Sequence, residues 1–181
     1  MHEPTVFTIG HSNHPWDKFL DLLQRHAIQA LVDIRRYPRS RRWPQFHHKT
    51  LSRSLAEQGV AYQWLEALGG RREGQANFAS PNLGIQDTAF RHYADHMLGE
   101  VFGEGVQRLL QIAARETTAI MCAEGDFRQC HRRLVSDYLL AHGTQVRHIL
   151  PSGEWARHAL SPPARFAEGT LTYPGPRTLF D

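Results

Sequence analysis

The stretch Thr5-Val-Phe-Thr-Ile-Gly-His-Ser-Asn-His-Pro-Trp-Asp-Lys-Phe-Leu-Asp-Leu-Leu-Gln-Arg-His-Ala-Ile-Gln-Ala-Leu-Val-Asp-Ile34 decides the fold. Thr5 to Ile9 is a run of β-branched and aromatic residues closed by Gly10-His-Ser-Asn13, and it reads as a short buried strand. A helix is predicted from Pro15, a favoured first helical residue, to His26. Its apolar face is Trp16, Phe19, Leu20, Leu23 and Ala27. Ala30 to Ile34, apolar except for Asp33, is the second strand. Strand, helix and strand follow one another too closely for anything but a right-handed crossover between parallel strands.

The same pattern repeats outward. Lys49 to Gln58 reads as helix, Gly59 as a breaker and Val60 to Leu65 as a third strand. Two helices are predicted near 88–99 and 104–115, then a strand from Thr117 to Cys122. A helix over Gln129 to Ala141, with Leu134, Val135, Tyr138 and Leu139 facing inward, ends at Gly143 before a strand over Gln145 to Leu150. This order implies a single-domain three-layer α/β sandwich around a mostly parallel central sheet, spanning residues 1–150. Residues 66–86, rich in Gly, Asn, Pro and Arg, read as an irregular loop, and residues 151–181 as an extended proline-rich arm.

At 181 residues the chain suffices for one substantial core but not comfortably for two. No window approaches the roughly 20 apolar residues of a membrane helix, and no basic-then-apolar leader opens the chain. A soluble, cytoplasmic protein without membrane partners is expected. Two cysteines cannot make a disulfide framework, so they are read as thiols or ligands. The net charge of +3 is mild, but Arg35, Arg36, Arg39, Arg41 and Arg42 crowd one loop with Trp43 and Phe46. Guanidinium alternating with aromatic residues suits phosphates and stacked bases, and equally a solvated surface. With only Lys18 and Lys49 as lysines, arginine is also this chain's general cation.

Chemistry concentrates in Met121-Cys-Ala-Glu-Gly-Asp-Phe-Arg-Gln-Cys-His-Arg132, between the end of a strand and the start of a helix. With Gly10-His11-Ser12 after the first strand and Asp33 to Arg36 around the second, it should converge on one edge of a parallel sheet, where ligands bind. Cys122 and Arg128 have the Cys-x5-Arg spacing of phosphatase loops, but Glu124 and Asp126 would repel a phosphate dianion. Cys122, Cys130, His131 and His11 are conceivable zinc ligands, although the spacing is longer than structural zinc sites favour, and no metal is expected. Cys130, placed by the pattern in a first helical turn beside Arg132, is a candidate activated thiol, and Cys122 equally a buried strand-end residue. His11, Asp33 and Glu124 suit acid–base roles or ion pairs that fix the loops.

Several motifs in order resemble the domain of unknown function 488 family over roughly residues 5–150. They are Thr8-Ile-Gly-His-Ser-Asn13, Val32-Asp-Ile-Arg35 with Pro38-Arg-Ser-Arg41, Pro44-Gln-Phe46, Leu68-Gly-Gly-Arg71 and Cys122-Ala-Glu124 with Cys130-His-Arg132. Phe127 stands where the family run has proline. The resemblance supplies no activity. It implies site positions: Cys122, Glu124, Cys130 and His131 for catalysis, and Gly10, His11, Ser12, Asp33, Arg35, Ser40, Gly70, Arg71 and Arg132 for ligand binding.

The expected function is binding of an anionic, nucleotide-like or nucleic-acid ligand at the strand carboxyl ends, with thiol or carboxylate chemistry there. A nucleic-acid-associated module without catalysis and a thiol redox sensor are the alternatives. Leu179-Phe180 loosely resembles the peptide by which bacterial repair and replication proteins dock on the sliding clamp, which makes the clamp an expected partner.

Overall fold

The computed structural model describes residues 4–176. Leu179 and Phe180, on which the clamp-docking expectation rests, lie outside them. Strand β1 (Thr5–Gly10), helix α1 (Trp16–Arg25) and β2 (Ala30–Asp33) form the predicted crossover. Helix α2 (His48–Glu57) and β3 (Ala61–Trp64) follow, then α3 (Thr88–His96), α4 (Glu100–Ala113), β4 (Thr118–Cys122), α5 (Arg132–Ala141) and β5 (Gln145–Ile149). The first five strands are all parallel. The spatial order is β3-β2-β4-β1-β5, and β6 (Trp155–Arg157) adds an antiparallel edge to β5.

The side-chain period of two divides each strand between two cores. Phe7, Ile9, Leu31, Ala119 and Met121 meet Phe19, Leu22 and Leu23 of α1 and Leu51 and Leu55 of α2. Val6, Val32, Ile120 and Val146 face the other way, against Tyr93 of α3, Phe102 and Leu109 of α4 and Leu134, Val135 and Leu139 of α5. The result is the three-layer α/β sandwich. Because both faces are covered, the central strands are apolar nearly throughout.

Three local features depart from the sequence pattern. Ala27, assigned to the apolar face of α1, is exposed with φ +51°, because the helix ends at Arg25; Leu22 takes the buried position. Helix α5 begins three residues later than predicted. Asp126 accepts a hydrogen bond from the Arg128 amide and starts a separate 3₁₀ turn, Phe127–Gln129, so Cys130 precedes the helix. After residue 150, where the pattern gave only an extended arm, the chain forms β6 and a hairpin of β7 (Arg165–Ala167) and β8 (Thr170–Thr172). Leu171 and Tyr173 from this segment join the α3–α5 core. Among the described residues no helix is long and apolar enough to cross a membrane.

Candidate functional site

Strand register aligns the chemistry-bearing loops. Gly10 lies level with Cys122, and Asp33 with Met121. The His11 and Ser12 amides continue the ladder onto the Cys122 and Ala123 carbonyls at 3.0 and 2.9 Å, and the Ile34 amide onto Met121 at 3.0 Å. The loops after β1, β2 and β4 therefore leave the sheet side by side. Between them and α3 lies a cavity of about 530 Å³. Of the predicted residues, His11, Arg35, Ser40, Gly70, Arg71, Cys122, Glu124, Cys130 and His131 line it.

Cys130, His131 and Cys122 form its floor. His131 Nε2–H donates to the Ile34 carbonyl at 2.7 Å. That bond fixes the tautomer and leaves Nδ1 facing Cys130 Sγ at 3.5 Å. The ring packs edge-on to Tyr93, whose hydroxyl donates to the Leu68 carbonyl at 2.7 Å. It also lies over Gly70, where an added Cβ would stand 2.8 Å from Nδ1. A side chain at Gly70 would displace the imidazole. The Arg132 amide, at the start of α5, donates to Cys130 Sγ at 3.4 Å, and Cys122 lies in the same buried cluster. Burial pushes the Cys130 thiol up, but neighbouring Cys122, His131 and Arg132 outweigh it and hold the thiol well below its ordinary value. Burial, with Cys130 adding to it, pushes the Cys122 thiol well up.

Asp33 stands behind the cavity wall, with no exposed surface. Its carboxylate accepts from Arg35 Nε at 2.9 Å and NH2 at 2.6 Å, and from the Tyr62 hydroxyl at 2.6 Å. Arg35 NH1 in turn donates to His11 Nε2 at 3.3 Å, while His11 Nδ1–H donates to the Ser12 carbonyl at 2.8 Å. Burial above all, with the Arg35 charge, lowers the His11 pKa to about 4. His11 is therefore a neutral ring, stacked on Phe46 at 4.3 Å, and both nitrogens are committed. Asp33 orients Arg35.

Gly10, Ser12 and Arg132 do not line the cavity. Gly10 allows the β4 loop to approach, since a Cβ there would run into the Glu124 carbonyl. The buried Arg132 donates to that carbonyl at 2.7 Å and to Gly125's at 3.3 Å, which shapes the loop from beneath. Its NH1 donates to Thr8 Oγ1 at 3.1 Å and opens a polar chain not anticipated from the sequence. Thr8 Oγ1 meets His148 Nδ1 at 2.7 Å, His148 Nε2 meets His158 Nδ1 at 2.9 Å, and His158 Nε2 meets Asp137 Oδ1 at 2.8 Å. With neutral rings every donor points from Arg132 toward Asp137, so two buried opposite charges are joined through three neutral groups.

The mouth is cationic. Arg39, Arg42 and Arg71 line it and are exposed; among the described residues none of them pairs with a carboxylate. Arg36, by contrast, pairs with Glu66. Trp43, carrying the Arg42 guanidinium over its ring at 5.3 Å, and Tyr37 complete the rim. The arginine–aromatic alternation of residues 35–46 signalled this rim. Phe90 and Tyr93 on the opposite wall have ordinary helical core spacing and carried no such signal. Among the described residues no three His, Cys, Asp or Glu side chains gather in a way that would hold a metal ion.

The family model described as domain of unknown function DUF488 matches residues 15–139. The chain belongs to this family. The match spans α1 through most of α5, so the DUF488 region contains the Cys130–His131 pair and the arginine rim but stops short of His148 and His158. No curated protein and no solved structure matches the chain.

Proposed function

We propose that the crevice binds an anionic ligand of nucleotide-like size, with the thiols of its floor and the Glu124 carboxylate placed to act on that ligand. The observation that carries this reading is the set of three guanidiniums with no carboxylate partner among the described residues, Arg39, Arg42 and Arg71, around a cavity of about 530 Å³ in which Glu124 is the one lining carboxylate among those residues. Such a volume falls among those of small-molecule sites, and guanidinium forks match phosphate and carboxylate geometry. Trp43 and Tyr37 supply faces on which a base would stack. The reading is tested by calorimetric titration with adenosine triphosphate, pyrophosphate and adenosine. The two anions should bind, the uncharged nucleoside should not, and Arg71→Ala or Arg39→Ala should weaken the anions at least roughly fivefold. Failure of every anion at low salt would overturn it.

A nucleic-acid backbone is the second reading. It is supported by a cleft of about 340 Å³ lined by Arg39, Arg41, His47, His48 and Lys49, which shares Arg39 with the rim. A single-stranded oligonucleotide bound there should lose affinity linearly in log salt, with a slope reduced by about one for each phosphate contact removed.

A further inference from the structure

The floor holds more than anion recognition needs. A nucleophile requires a base within reach and a third group to orient that base. Cys130 Sγ, His131 Nδ1 and the Ile34 carbonyl supply these at 3.5 and 2.7 Å. The Arg132 amide at the start of the ten-residue α5 is aimed at the same sulfur. A second sulfur, that of Cys122, belongs to the same buried cluster, and both cysteines line the one cavity. Cys122 donates to the Glu124 carbonyl at 3.6 Å, so it is held as a protonated reserve rather than a competing nucleophile.

We propose that Cys130 is a nucleophilic thiolate, His131 its base and Cys122 its resolving thiol, so that the crevice reduces a small anionic disulfide by thiol–disulfide exchange. The anionic character of the substrate rests on the preceding reading; the dithiol chemistry does not. In the first step Cys130 Sγ, its proton held by His131 Nδ1, attacks one sulfur of R–S–S–R. A Cys130–S–S–R bond forms and R–S⁻ leaves, taking up the imidazolium proton. In the second step Cys122 Sγ gives its proton to the second leaving group and attacks Cys130 Sγ. The Cys122–Cys130 bond forms and a second R–SH departs. The substrate gains two electrons and two protons, and the protein's two thiols become one disulfide. The sequential order follows from the geometry: Cys130 has the base and the helix amide, and Cys122 has neither.

The test uses the full chain with two disulfides of opposite charge, oxidised glutathione and cystamine, followed by intact mass and free-thiol count. The unaltered protein should lose two thiols and retain no adduct. Cys122→Ser should accumulate the mixed disulfide at Cys130, and Cys130→Ser should react with neither reagent. His131→Asn should slow the first step at least roughly tenfold near pH 7 and recover as pH rises toward thiol ionisation, a pH dependence that a folding defect would not produce. Arg71→Ala and Arg39→Ala should slow oxidised glutathione and speed the dication cystamine, which loses a repelling charge, so the ratio of the two rates falls. Native Cys122→Ser protein that forms no adduct with either reagent, while its urea-unfolded form does, would overturn the dithiol proposal. Reaction with both reagents at rates the arginine variants do not alter would overturn the anion reading alone.

Discussion

His11 and His148 are held neutral chiefly by burial, with pKa values lowered to about 4 and about 3. An unfolded histidine takes up a proton near pH 6.5, whereas these folded ones do not. Between the two values the unfolded state binds more protons, so stability falls as the pH drops. From pH 7 to 4.5 each ring should contribute a loss of about 2–3 kcal/mol. Urea unfolding at the two pH values measures it, and His148→Gln should remove that residue's share; a flat profile would contradict the buried neutral state. Gly70 makes a different point at the same scale. Gly70→Ala brings a methyl carbon to 2.8 Å from His131 Nδ1, so the ring must shift and weaken the Nε2–H bond to the Ile34 carbonyl. Alkylation of Cys130 near neutral pH should slow severalfold while the fold survives. An unchanged labelling rate would remove His131 from the activation of the thiol.

Three elements and the segment after β6 are pinned by one polar chain. Thr8 on β1, His148 on β5, Asp137 on α5 and His158 form its links, and Asp137 also accepts from the Tyr173 hydroxyl at 2.8 Å and the Ser161 amide at 2.9 Å. His158→Ala should cost about 1–3 kcal/mol, because it removes one donor from the buried Asp137 carboxylate and leaves His148 Nε2 without its partner. A double-mutant cycle with Asp137→Ala should be strongly non-additive; additive losses would mean the two groups are not coupled. The strands and helices themselves were legible, since β-branched runs and three-four spacing survive in the sequence whatever lies around them. The cysteine loop and arginine rim were legible because their residue types are unusual where they stand. Asp137 was not. It sits between Val135 and Tyr138 on an amphipathic helix, and it is buried only because the chain after residue 157 folds back across that helix. A segment without periodicity gave no sign that it would do so, and His148, within a strand, carries no local mark of a partner ten residues away.

On the scale of the molecule, the segment after residue 150 closes the α3–α5 face. Leu171 and Tyr173 are buried there, the Gly84 amide bonds the Tyr173 carbonyl at 2.8 Å, and the Tyr173 amide bonds Asn82 Oδ1 at 2.9 Å. A chain ending at residue 150 should lose at least about 3 kcal/mol, since each buried side chain of this size contributes about 1.5–3 kcal/mol. It should also bind a hydrophobic dye in its native state. Unaltered denaturation midpoints would show the segment to be dispensable. The position of β1 has a consequence for how the protein is made. It precedes the other strands of this sheet in the chain, yet it is flanked by β4 and β5, the last two of the parallel set. While the ribosome is still adding α2, α3 and α4, the apolar Val6, Phe7 and Ile9 have no strand to lie against. The sheet's middle can close only once residues 118–122 and 145–149 have emerged, so the nascent chain carries an unpaired hydrophobic ribbon while the hundred-odd residues between β1 and β4 are added, an interval in which that ribbon is exposed to aggregation.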